Sequence, residues 1–291
     1  MANPPAPLAA ASAAQLADAH RHTARLAKKA AGNFYYAFVL LPKGQRQGIQ
    51  ALYAFCRAGD DAVDEPGQYH TQAELLALLR ERLDLCYKGY YSNLMTLALA
   101  AAVQKFQFDR RHFDDLLQGV ESDLTGARYA TLDDLWGYCY RVASTVGLLC
   151  LPIFSADTEP ARAYAVELGL GMQLTNILRD LHEDYARGRV YLPESELAEF
   201  GLSGTELFDT ANERKRAELV TRMAGLARAK FDRARDLLPA EHRDALIAAR
   251  AMGSIYQAIL ERIEAEPSGL KRIELSHSQK LRIARNLILG T

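Results

Sequence analysis

The spacing of the apolar residues constrains this chain more than any other feature. From about residue 12 to residue 288 they recur every three or four positions, and no run alternates apolar and polar residues between hairpin-type turns. Only an α-helix gathers residues so spaced onto one face. Leu, Ala, Arg, Glu and Gln, all favourable in helices, dominate the same segments. The pattern predicts helices over 12–30, 43–65, 71–89, 93–105, 109–121, 131–151, 158–187, 203–237, 241–265 and 277–288. Thr71 with Glu74 and Ser203 with Glu206 read as capping boxes, and Asp157-Thr158 before Pro160 suits a first helical turn. Pro66-Gly67, Pro193 and Pro267 with Gly269 read as stops. The connections are short and no repeat of fixed period is present. One all-α domain over 15–291 is therefore expected, after a disordered tail over 1–14 that carries Pro4, Pro5 and Pro7 and lacks the basic start of a signal peptide.

Composition removes several function classes. Lys and Arg total 35 against 36 Asp and Glu, which excludes a general basic footprint for nucleic acid and an acidic tail protein. Apolar residues at 49% exclude disorder along the whole chain. Cys56, Cys86, Cys139 and Cys150 form no CxxC pair and sit in apolar or aromatic contexts, so they read as reduced buried thiols of a cytoplasmic protein. No apolar run approaches the roughly 18 residues of a membrane span. Glu274 and His277 match half of a di-iron motif, but such a bundle needs two pairs. No GxxxxGK loop and no HExxH are present, and a dinucleotide fold fails for want of strands. The basic runs Lys28-Lys29, Arg110-Arg111 and Arg214-Lys215-Arg216 read as solvated helix faces, with peripheral contact at an anionic membrane as the other use of such runs.

Two acidic clusters stand out. In Arg57-Ala58-Gly59-Asp60-Asp61-Ala62-Val63-Asp64-Glu65, Asp60 and Asp64 share a helix face. Like charges at that spacing cost an isolated helix roughly 0.2–0.5 kcal/mol. The cluster also lies in the last turns before Pro66, where the helix dipole disfavours anions. Local stability thus opposes the arrangement, and a bound cation supplies the missing reason for it. In the second cluster Gln173, Asn176, Asp180 and Asp184 fall within one arc of a helix. Such oxygen donors suit Mg²⁺, which keeps several waters and is completed by substrate phosphates. Arg57, Arg179, Arg187 and Arg189 flank the carboxylates, where guanidinium groups can hold diphosphate oxygens. One acidic run is ordinarily a solvated face. Two in one helical chain, each with Asp at i and i+4 and an Arg beside it, favour a metal–diphosphate site.

These residues carry a family resemblance. The chain resembles the squalene/phytoene synthase family, the head-to-head trans-prenyl synthases, from about Asn33 to Leu281. The shared segments are Asn33-Phe-Tyr-Tyr-Ala-Phe with Leu40-Leu41-Pro42, then Tyr53-Ala-Phe-Cys-Arg57 and Asp60-Asp-Ala-Val-Asp64. They continue with Tyr138-Cys-Tyr-Arg-Val-Ala-Ser-Thr-Val-Gly147, Gln173-Leu-Thr-Asn176-Ile-Leu-Arg179-Asp180-Leu-His-Glu-Asp184 and Gly188-Arg189-Val-Tyr191-Leu-Pro193. The resemblance implies an isoprenoid-synthase-type helical bundle around a central cavity. It implies Mg²⁺ at Asp60, Asp64, Asn176, Asp180 and Asp184, and diphosphate contacts from Asn33, Arg57, Gln173, Asn176, Arg179, Arg189, Tyr256 and Arg272. It places Tyr53, Tyr138 and Tyr191 at the reaction centre. Many members carry Ser at the position of Asn33, and some at that of Ala31, so a changed contact is expected there. Phe34, Phe38, Leu41, Val142, Leu148, Leu170 and Leu174 are the expected walls of a prenyl tunnel.

The expected activity is Mg²⁺-dependent joining of two farnesyl diphosphates to presqualene diphosphate, with NADPH needed only if the reaction runs on to squalene. The alternative is phytoene formation from two geranylgeranyl diphosphates, or dehydrosqualene formation. Prenyl diphosphates are the expected partners of a monomer or homodimer. A non-catalytic assembly factor is disfavoured because all four motif aspartates are present. A head-to-tail prenyltransferase or terpene cyclase is disfavoured by the segments Tyr138–Gly147 and Gly188–Pro193.

Overall fold

A computed structural model describes residues 4–30, 32, 34–64, 70–126 and 128–289. Asn33 and Ala31, the two positions of changed contact, and the Pro66-Gly67 stop lie outside the described residues. The chain is helical almost throughout. In order the helices are α1 (Ala13–Ala30), α2 (Phe34–Phe38), α3 (Lys43–Asp64), α4 (Gln72–Tyr87), α5 (Leu94–Phe106), α6 (Arg110–Ser122) and α7 (Leu132–Cys139). They continue with α8 (Thr145–Ile153), α9 (Glu159–Arg179), α10 (Leu181–Ala186), α11 (Glu194–Glu199), α12 (Glu213–Leu237), α13 (Ile247–Ala265) and α14 (His277–Leu289). The one strand pair among the described residues joins β1 (Ala6–Pro7) to β2 (Tyr90–Tyr91) in antiparallel register.

Local chemistry explains most of the boundaries. Thr71 caps α4 in a closed capping box, taking the Glu74 N–H at 3.2 Å while the Glu74 carboxylate takes the Thr71 N–H at 2.8 Å. Thr131 and Asp134 close an equivalent box at the start of α7. The Ser203–Glu206 pair does not start a helix, contrary to the sequence reading. Ser203 donates its hydroxyl to the Glu206 carboxylate at 2.7 Å instead of accepting from the backbone, and α12 begins only at Glu213. Likewise 158–187 is two helices, because Asp180 leaves helical geometry at φ −99°, ψ 9° between α9 and α10. The expected tail is also ordered from residue 4. Leu8 donates its N–H to the Gly89 carbonyl at 2.7 Å and packs on the core.

α9 is the axis of the bundle, packed against α12, α13 and α8. Its buried side chains include Leu168, Leu170, Leu174, Ile177 and Leu178, and full burial of one such residue contributes about 1.5–3 kcal/mol. A second layer, α1 with α3 and α5, closes the other side. Between α7 and α8 the chain widens into a π-turn over Tyr140–Ser144. That wide turn fits because glycines face it from both sides. A Cβ at Gly169 would lie 2.6 Å from Ser144 Cα, and one at Gly119 would lie 2.7 Å from Val142 Cγ1. Ser144 then donates its hydroxyl to the Val166 carbonyl at 2.8 Å, locking α9 to the turn.

One member of the basic runs departs from the expectation. Arg216 is not on a solvated face. Its side chain is buried, donates to the carbonyls of Ser268 (2.8 Å) and Leu207 (3.1 Å), and lies over the Phe208 ring. It thereby ties the loop before α12 and the loop after α13 to α12. Arg110 and Arg111 do lie on a solvated face as expected, Arg111 being 83% exposed, where they pair with Asp84, Asp114 and Asp109. Among the described residues no helix is long and apolar enough to cross a membrane.

The contact at Gly169 generates a stability prediction. Gly169→Val forces side-chain atoms into the Ser144 backbone and should cost about 1–3 kcal/mol, read as a lower urea midpoint at unchanged m-value.

Candidate active site

α3 and α9 each turn one stripe of side chains into a common cavity of about 630 Å³. On α3 the stripe runs Ile49, Leu52, Tyr53, Cys56, Arg57, Asp60, Asp64; on α9 it runs Leu168, Met172, Gln173, Asn176, Asp180. Both stripes are apolar in the earlier turns and charged in the last turns. The two helices bring their charged C-terminal ends to the same place, because Arg189 reaches Asp64 at 2.8 Å from just beyond α10. The cavity therefore has a polar end and an apolar end. Phe34 and Phe38 from α2, Val146 and Cys150 from α8, and Met252 from α13 complete the apolar walls.

At the polar end the carboxylates outnumber the cations that balance them. Asp60 opens onto the cavity yet is surrounded by protein, and that desolvation raises it to about 7, against the pull of Arg57 and with repulsion from Asp64 and Asp61. Arg57 is not free to neutralise it, being paired with Asp61 at 2.5 Å. Asp184 is likewise raised to about 7 by burial and by Asp180. Asp180 itself is held by both arms of Arg179, at 2.6 and 2.9 Å, and approached by Arg272 at 3.3 Å. Arg272 also grips Glu183 at 2.8 Å. Tyr256 does not line the cavity. It is buried against the Phe34 ring, with centroids 6.4 Å apart.

An aromatic wall stands beside the carboxylates. Tyr138 and Tyr191 stack with centroids 5.3 Å apart, and Tyr129 stacks on Tyr191 and packs tilted against Tyr138. Tyr53 packs edge-on to Phe38 at 5.9 Å across the cavity, and burial pushes its phenol up to about 12. Burial holds the Tyr138 and Tyr191 phenols well above their ordinary value, so all three are neutral O–H groups.

The hydroxyls of Tyr138 and Tyr191 both point at Asp123, a cavity residue in the turn after α6 that lies in neither acidic motif. Burial raises its carboxyl to about 6 in spite of these bonds and of Arg189 nearby. Nothing in the spacing of Asp123 marks it in the sequence, because it has no partner acid or amide at helical distance. The apolar wall does carry a signal in the sequence, since extending the two acidic faces backwards along α3 and α9 by helical steps reaches Cys56, Leu168 and Met172. Of the seven residues expected in the wall, Phe34, Phe38 and Val142 line it, while Leu41, Leu148, Leu170 and Leu174 are buried in the core.

The donor set fits a hard divalent cation. Every candidate ligand is an oxygen, the Asn176 Oδ1 is buried with no hydrogen-bond partner, and Asp60 is a carboxylate short of positive charge. Among the described residues no three His, Cys, Asp or Glu side chains converge tightly enough to hold an ion alone. That suits an ion held by one or two carboxylates and completed by substrate oxygens. Asp60, Asp64, Asn176, Asp180 and Asp184 would hold it.

Comparison with known proteins agrees with this geometry. A sequence model described as squalene/phytoene synthase matches residues 27–281. The chain is 34% identical over 270 residues to a 15-cis-phytoene synthase of Synechococcus elongatus, covering 86% of this chain and 85% of that protein. It superposes on the crystal structure of a dehydrosqualene synthase in complex with ligand at a TM-score of 0.84 and 29% identity, covering 94% of this chain and 97% of the other. It superposes on squalene synthase HpnC of Alicyclobacillus acidocaldarius at a TM-score of 0.79 and 25% identity, covering 90% and 98%.

The raised carboxylates make a pH prediction for the metal-free protein. Folding favours their protonated forms, so their contribution to stability is full below about pH 4 and is lost as pH rises through 6 to 7. Asp60→Asn should therefore stabilise the chelator-treated protein at pH 8, by about 1 kcal/mol after discounting for water in the cavity, and leave it nearly unchanged at pH 4. Thermal unfolding at the two pH values measures the difference.

Proposed function

The chain belongs to the squalene/phytoene synthase family, and from that premise we propose that it joins two geranylgeranyl diphosphates head to head to give phytoene. The observation that carries the prenyl-diphosphate reading is the graded cavity, with paired acidic helix ends at one side and an apolar pocket running on from them. The C20 substrate is favoured over the farnesyl diphosphate expected first because the similar curated proteins are named phytoene synthases. Likeness to a dehydrosqualene synthase favours a second reading, the same chemistry on two farnesyl diphosphates. Both end in proton loss, so neither calls for NADPH.

The residues take the following parts. Mg²⁺, when bound at the acidic faces, supplies the charge that neutralises a leaving diphosphate. Arg57, Arg179, Arg189 and Arg272 exchange their present carboxylate partners for diphosphate oxygens as substrate enters, each in charge-assisted hydrogen bonds. The Gln173 carbonyl accepts from the Asn176 amide nitrogen at 3.2 Å, which leaves the Asn176 oxygen for a metal ion. The donor substrate ionises to an allylic cation, and the double bond of the acceptor attacks it. Tyr53, Tyr138 and Tyr191 surround the cation with aromatic faces. Being neutral, they stabilise it without capturing it. The apolar end holds the two prenyl tails and excludes the water that would quench the cation.

Product analysis tests this directly. With Mg²⁺ and geranylgeranyl diphosphate the protein should release phytoene whether or not NADPH is present. Dehydrosqualene from farnesyl diphosphate alone would establish the second reading, and no turnover of either substrate would overturn both. Asp60→Ala and Asp180→Ala should each lower kcat at least about 10²–10³-fold with helix content, read by circular dichroism, unchanged.

A further inference from the structure

We propose that Asp123 is the terminal acceptor of the proton lost in the condensation, reached through the hydroxyls of Tyr138 and Tyr191. The proposal rests on the prenyl-synthase reading and adds to it the path of the proton. Asp123 sits in the tight turn Asp123–Thr125 that follows α6, apart from both acidic helix ends. Tyr138 donates to one of its oxygens at 3.2 Å and Tyr191 to the other at 3.0 Å. The two rings stack with centroids 5.3 Å apart, and all three side chains line the cavity.

Other candidate bases are poorly placed for the task. The motif carboxylates must stay anionic to hold a cation, so a proton taken there would discharge the site. Glu183 is paired with Arg272 at 2.8 Å, and arginines do not deprotonate. No histidine lines the cavity among the described residues. The hydrogen-bond donors of Asp123 are two neutral phenols, and the nearest arginine, Arg189, is committed to Asp64 at 2.8 Å. Each phenol oxygen has already committed its proton to Asp123 and keeps a lone pair for an incoming one. Asp123 also fixes the stacked rings, so the same contact aims the aromatic faces and the acceptor atoms.

The step balances without an oxidant or reductant. A C–H bond next to the cationic centre breaks, and its electron pair closes the new carbon–carbon bond. The proton passes to a tyrosine oxygen as that tyrosine's own proton passes to Asp123. The carboxylate becomes a carboxylic acid and returns the proton to water after product leaves. Asp123 acts through the tyrosines and is a positioning and relay residue.

The test separates ionisation from proton loss. In Asp123→Asn the side chain keeps its shape and one acceptor oxygen but cannot take a proton. With Mg²⁺ and geranylgeranyl diphosphate, or farnesyl diphosphate if that is the substrate used, condensed product should fall at least about 10²-fold. Diphosphate release should persist at little-changed KM, with the cation diverted to prenyl alcohols by water. A substrate deuterated at C1 should show a larger isotope effect on condensed product in the variant than in the wild type, and Asp123→Glu should restore part of the activity. The paired variant Tyr138→Phe with Tyr191→Phe keeps Asp123 and removes the relay, so it should show the same diversion and carries the test if Asp123→Asn does not fold. Parallel loss of diphosphate release and product would mean that Asp123 only shapes the site. Unchanged product in Asp123→Asn would mean that the proton leaves elsewhere, for example to the released diphosphate. Either result overturns the proposal. A wild-type protein that releases no diphosphate sinks the parent reading as well, and is recognised before any variant is made.

Discussion

Four aspartates that repel one another are held across a cavity, three at the C-terminal ends of α3 and α9 and Asp184 one turn further on in α10, and the rest of the molecule is arranged around that repulsion. Helix dipoles worsen it, since both α3 and α9 end where the negative partial charge of the peptide groups collects. Burial worsens it again, lifting Asp60 and Asp184 to about 7. A structure optimised for stability alone would place apolar side chains here. The bundle instead keeps a wetted acidic gap open, with α9 clamped from outside by α12 and α13.

The arginines show how the strain is contained until cations and substrate arrive. Arg189 bridges the two acidic faces, Arg179 covers Asp180, and Arg272 spans Asp180 and Glu183. Each such pairing is reversible in a way that apolar packing is not. In the proposed reaction a diphosphate takes the place of the carboxylate that each guanidinium already holds, which would free that carboxylate for a metal ion. Arg216 contributes at a distance by fixing the Ser268 carbonyl, and so the loop from which Arg272 reaches inward.

Much of this was legible in the sequence because it is local. Helix content, the Thr71 cap and the facing of Asp60 with Asp64 and of Gln173 with Asn176 and Asp180 all follow from 3.6-residue periodicity. What was misread depended on contacts between distant segments. Leu41, Leu148, Leu170 and Leu174 look like tunnel walls by composition, but packing turns them into the core. Arg216 looks solvated until Leu207 and Ser268 are folded over it. The break at Asp180 is invisible in a pattern that continues smoothly through it, because the arginines holding its carboxylate include one 92 residues further along the chain.

The sequence by itself determined that the chain is helical and that two of its segments carry oxygen-rich faces flanked by arginine, which it pairs as the expected metal–diphosphate site. Periodicity and residue type suffice for that, since both act within a few turns. Only the tertiary structure decided which apolar side chains face the cavity, which arginine holds which carboxylate, and that Asp123 lies under the hydroxyls of Tyr138 and Tyr191. Those facts concern residues from separate helices and loops. Their meeting is set by how helices pack around α9, which no local pattern encodes.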